Sequence, residues 1–81
     1  MTTEVKMLVQ WLVDQRKSLG MTQAQLSQKL GLNKVSLNKL ENLQRRIDIC
    51  EFCDLCQTLG VDPSDAVRSI MLKNDLNEAR G

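Results

Sequence analysis

Aromatic side chains are nearly absent from this sequence. Trp11 and Phe52 are the only two among 81 residues, and there is neither tyrosine nor histidine. A single proline, Pro63, and four glycines leave the chain without the repeated turn chemistry of an all-β domain. No apolar run approaches the ~18–20 residues that cross a bilayer, so no membrane partner is expected. The N-terminus M-T-T-E-V-K lacks a basic region followed by an apolar stretch, which argues against a secretory signal. The three cysteines crowd into one segment and form no disulfide framework, so the expected compartment is the reducing cytoplasm. Neither a nucleophile–base pair nor a glycine-rich phosphate loop is present, and no enzymatic activity or cofactor is expected. A chain this short makes one domain, residues 1–81, with a thin core that self-association would enlarge.

The net charge of +1 conceals a segregation. Residues 1–15 carry Glu4, Lys6 and Asp14, for a net −1. Residues 16–46 carry Arg16, Lys17, Lys29, Lys34, Lys39, Arg45 and Arg46 against Glu41 alone, for +6. Residues 47–81 carry seven acids and only Arg68, Lys73 and Arg80, for −4. A basic middle beside an acidic end suggests one face for a polyanion and another turned away from it.

The apolar spacing is helical throughout. Val5, Leu8, Val9 and Leu12 share one face of a first helix, expected from about Thr3 to Leu19 and stopped by Gly20. Thr22 and Gln25 make a capping box for a short helix over Gln23–Leu30 that Gly31 ends. In it Ala24 is small enough for a close helix crossing. Asn33 caps the next helix, which buries Leu37 and Leu40 and turns Lys34, Val35, Ser36, Asn38 and Lys39 outward. A helix of about seven residues cannot stand alone and must be held by packing. N-L-Q-R-R-I reads as a basic loop. Asp48 caps a fourth helix that ends at Gly60. Asp62 and Pro63 start a fifth, with Val67, Ile70, Met71 and Leu76 on its apolar face and a polar tail expected to fray from about Lys73. Two short helices joined by G-L-N, one helix before them and two after, describe a helix-turn-helix over about residues 22–41.

The stretch R-K-S-L-G-M-T-Q-A-Q-L-S-Q-K-L-G-L-N-K-V-S-L-N-K-L-E-N, continued by L-C-Q-T-L-G-V-D-P, resembles the Cro/phage-repressor type of helix-turn-helix, also called Xre-like. The resemblance covers about residues 8–70. It implies an all-α, five-helix, lambda-repressor-like DNA-binding domain that acts as a sequence-specific transcriptional regulator. A repressor binding an inverted repeat of double-stranded DNA as a homodimer is the leading expectation. By resemblance, Lys34, Val35, Ser36 and Lys39 read bases in the major groove. Thr22, Gln23, Asn38, Asn42, Arg45 and Arg46 fall at phosphate-binding positions. Arg16 and Glu41 match a structural ion pair, and the dimer surface is expected at Val67, Ile70 and Met71. Leu43 stands where the family commonly has glycine. A left-handed leucine costs about 1 kcal/mol or more, so the loop carrying Arg45 and Arg46 is expected to take a different path.

Two other functions bear on the same residues. An antitoxin-type module of this fold would hold a partner protein through its acidic C-terminal half or the Trp11 face. A metal or redox sensor would use Cys50, Cys53 and Cys56, spaced C-x-x-C-x-x-C. Successive members of that trio sit about 60° apart on a helix. Zinc and iron–sulfur clusters ordinarily take four ligands, and the chain has three cysteines and no histidine. The expectation is therefore no metal. Cys53 and Cys56 should pack in the core as small hydrophobes beside Ile49 and Phe52, with Trp11 also packed there. Cys50, Glu51 and Asp54 should face water.

Overall fold

Five caps divide the chain into five helices. In the computed structural model, which describes the backbone of residues 2–80 and the side chains of residues 2–73, the helices are α1 (Thr3–Ser18), α2 (Gln23–Leu30), α3 (Lys34–Glu41), α4 (Ile49–Leu59) and α5 (Pro63–Arg80). Each of the first four starts on a residue whose side chain accepts an otherwise orphaned backbone N–H. These caps are Thr2, Thr22, Asn33 and Asp48. At α2 the reciprocal bond is also made: the Thr22 N–H donates to Gln25 Oε1 at 2.9 Å. Asp62 opens α5 by accepting from both the hydroxyl and the N–H of Ser64. Those bonds, the hydroxyl's first, hold its carboxyl below the usual carboxylate range. Leu76 lies outside the described side chains, while the stretch expected to fray from about Lys73 is helical as far as Arg80.

The same backbone motif stops the first four helices. A left-handed residue donates to the third residue before it, and the next residue donates to the fifth before it. Three of these positions are glycine; the fourth is Leu43, at φ +62°. The Leu43 N–H reaches Leu40 O at 3.1 Å, and the Gln44 N–H reaches Lys39 O at 2.8 Å. The expected detour of this loop does not occur: leucine adopts the left-handed conformation and the glycine-type path is kept. Two C-terminal hydrogen bonds on α3 and a half-buried side chain offset the strain. At Gly31, a Cβ would meet no atom within 4 Å, so the turn requires glycine for its φ of +71° and not for space.

One core holds the helices together. Leu12, Leu26, Leu37, Leu40, Phe52, Leu55, Cys56, Leu59 and Ala66 are buried in contact, with Trp11, Leu8 and Met21 packed against them. α1 packs against α3, α4 and α5, while α2 lies against α3 and α4. On α4 the buried set is Phe52, Leu55, Cys56 and Leu59, spaced i, i+3, i+4, i+7. That stripe corrects three expectations. Cys53 is exposed, because it falls on the flank of the stripe that Phe52 and Cys56 define. Ile49 is 71% exposed and lies outside the core. Glu51 is half-buried and does not face water alone. On α2, Ala24 is exposed and makes no close crossing, whereas Ser27 is buried with its hydroxyl donating to Gln23 O at 2.8 Å. Burial pushes the Cys56 thiol pKa up, with neighbouring Cys53 and Asp62 adding to it.

Candidate nucleic-acid interface

Eight residues make α3, and only Leu37 and Leu40 anchor it in the core. Its outward side presents Lys34, Val35, Asn38 and Lys39, with Ser36 half-buried. Val35 is 62% exposed. Asn33 accepts from the Ser36 N–H at 2.7 Å and fixes the first turn. The face therefore combines two ammonium groups, an amide, a hydroxyl and one branched apolar side chain. Such a set can donate to base edges or phosphates and touch a thymine methyl.

A continuous polar chain binds α3 to α1 and α2. Arg16, buried on α1, donates from Nε to Glu41 Oε2 at 2.8 Å and from Nη2 to Glu41 Oε1 at 2.9 Å. Its Nη1 reaches Met21 O at 2.8 Å. Gln23 Nε2 donates to Glu41 Oε1 at 2.8 Å, and Gln23 Oε1 accepts from Asn38 Nδ2 at 3.1 Å. Asn42 Nδ2 continues the chain to Asn38 Oδ1 at 3.1 Å. Glu41, the one acid in the basic segment, is thus neutralised by Arg16 and adds little repulsion toward a polyanion. No buried side-chain nitrogen or oxygen lacks a partner among the described residues. The Thr22 hydroxyl serves the capping box by accepting from the Gln25 N–H at 3.1 Å.

Arg45 and Arg46 diverge. Arg46 is exposed. The Arg45 guanidinium is engaged within the chain: Nε donates to Ser36 O at 2.9 Å, while Nη1 and Nη2 reach the two Glu51 carboxylate oxygens at 2.7 and 2.8 Å. Nη1 also meets Arg46 O at 3.3 Å. The Glu51 hydrogen bond raises the Arg45 pKa above its ordinary value against the lowering by burial, and the charges of Glu51 and Asp48 add to the rise. Sequence reading did not pair these two residues. The only available signal was Glu51 sitting three residues after the Asp48 cap, near the end of a basic loop.

Away from α3, an apolar groove of about 320 Å³ opens between α1, the start of α4, and α5. Val5, Leu8, Ile49, Phe52, Val67, Ile70 and Met71 line most of it, so the three residues assigned to a dimer surface stand together there. Met71 is 61% exposed and Val67 49%. Among the described residues no three of Cys, Asp and Glu gather to hold a metal ion, and Cys50 and Cys53 are free and exposed. Nor is any described helix long and apolar enough to cross a membrane.

A capped pair of short helices, a left-handed glycine between them and a polar outer face on the second define a helix-turn-helix domain. The helix-turn-helix family model matches residues 12–65. Among solved structures, an XRE-family like protein from Pseudomonas syringae pv. tomato str. DC3000 is 31% identical, covering 86% of this chain and 85% of its own, with a TM-score of 0.80. None of the curated proteins matches. The chain belongs to the XRE-like helix-turn-helix family; it is a DNA-binding regulator and not an enzyme.

Proposed function

We propose that this regulator is a repressor that binds an inverted-repeat operator as a homodimer, each copy placing α3 in the major groove. The observation that carries the reading is the outer face of α3: Lys34, Val35 and Lys39 are exposed on a helix whose other side is locked in the core and tied to α1 and α2. Lysine suits guanine O6/N7 or a phosphate, valine a thymine methyl, and serine tolerates either edge. Thr22, Gln23, Asn38, Asn42 and Arg46 would take the phosphates beside that face, Gln23 through its backbone N–H at the start of α2 because both ends of its side chain are engaged. Arg45 has its donors facing inward.

The homodimer is supported by the apolar groove, whose exposed Val67 and Met71 a second copy would cover. Two copies would then present their α3 helices about one helical turn (~34 Å) apart. An antitoxin-type partner would instead use the acidic C-terminal half or the Trp11 face, and co-purification of a second protein would reveal it.

Selection of bound duplexes from a random pool tests the reading: an inverted repeat with half-sites one turn apart is the expected product. The double variant Lys34→Ala/Lys39→Ala should lose at least ten-fold in affinity for that duplex, since a good base contact is worth about 1–3 kcal/mol. Unchanged affinity and selectivity would remove α3 from the groove.

A further inference from the structure

The geometry points to Arg45 as a positioning residue, a strut that sets the angle of α3 against the body through Ser36 and Glu51. This inference rests on the DNA-reading role of α3 and deepens it. Arg45 holds a backbone atom of α3, Ser36 O, and both oxygens of a carboxylate on α4. The turn that carries Glu51 is fixed, since the Glu51 backbone N–H donates to the Asp48 side chain at 2.7 Å. The other tether lies at the far end of α3, where Arg16 and Gln23 hold Glu41. Ser36 and Glu41 are five residues apart, or roughly 7.5 Å along the axis. Leu37 and Leu40 anchor one side of the short helix and Asn38 is bonded to Gln23, so a further tether near its N-terminal end limits pivoting about those contacts. Between the two tethers lie Lys39 and Asn38, and just beyond Ser36 lie Lys34 and Val35. Only a planar fork can meet a carboxylate with two parallel N–H groups while a third N–H points to a carbonyl; an ammonium on a flexible stem cannot. All but one of the five guanidinium N–H groups are engaged in this way, which leaves little for a phosphate.

The test compares Glu51→Gln, Arg45→Lys and Arg45→Met with the unmodified chain. The probes are the duplex selected from the random pool and a random-sequence duplex of equal length, across a salt series. Circular dichroism confirms that each variant is folded at the assay temperature. Glu51→Gln removes a negative charge, so simple electrostatics would tighten binding. A strut gives the opposite result: Glu51→Gln loses roughly 3–30-fold on the selected duplex and nothing on the random one. Arg45→Lys is then as poor as Arg45→Met, and the salt slope of both equals that of the unmodified chain. The inference is overturned if Glu51→Gln binds the selected duplex as tightly as the unmodified chain or more so. It is equally overturned if Arg45→Met flattens the slope by about one unit and Arg45→Lys restores it, the signature of a phosphate contact. Should Arg45→Met not fold, Glu51→Gln and Glu51→Asp decide alone. If the unmodified chain selects no duplex at all, the DNA-reading role falls and the strut with it, an outcome distinct from failure of the strut alone.

Discussion

At the scale of single residues, Leu43 is the position where local preference and global fold disagree. Leucine at φ +62° is strained by about 1–2 kcal/mol, yet it closes α3 with the same pair of hydrogen bonds that the glycines give other helices. Replacing Leu43 by alanine removes a half-buried side chain and keeps the strain. Replacing it by glycine removes the side chain and the strain together. Leu43→Gly should therefore be more stable than Leu43→Ala by about 1 kcal/mol, the reverse of their order inside a helix. In thermal melts that is a gap of roughly 4–8 °C for a domain of this size. Cys53 and Cys56 make a related point about what a sequence can reveal. Their spacing put both near a buried stripe, but a helix turns about 60° over three residues. Which of the two falls inside depends on where the neighbouring helices lie, and that is not local information.

Among the elements, α3 depends most on its surroundings. Its boundaries were legible, because Asn33, Leu37 and Leu40 announce a cap and a buried pair, and Gly31 announces the turn before it. The way it is held was only half legible. Arg16 and Glu41 could be paired through resemblance to a family, whereas Arg45 and Glu51 could not. They meet across a loop that follows the left-handed path, and Leu43 argued against that path. The half that was legible gives a sharp stability prediction. Glu41→Ala strands the buried Arg16 guanidinium and leaves Gln23 Nε2 without its acceptor. Breaking a buried pair by removing one partner costs about 3–5 kcal/mol, a large share of what holds so small a domain together. Urea unfolding should show that loss. The double variant Arg16→Met/Glu41→Leu should recover a substantial part of it, since two apolar residues leave no uncompensated charge.

For the molecule as a whole, the groove between α1, α4 and α5 sets the expected behaviour. If a second copy covers it, folding and association are one equilibrium, and the melting temperature must rise with protein concentration. Over a range of about 1–100 μM the unmodified chain should show that rise. Met71→Glu, which places a carboxylate at the exposed edge of the groove, should melt at a temperature independent of concentration and sediment as a monomer. The first turn of α4 serves two sides of the molecule at once. Ile49 and Phe52 line the groove, and Glu51 between them grips Arg45. Whatever settles into the groove would thus touch the turn that Arg45 links to α3. If a neighbour that steadies this turn sharpens DNA recognition, linkage requires that bound DNA strengthen the grip on that neighbour by the same factor.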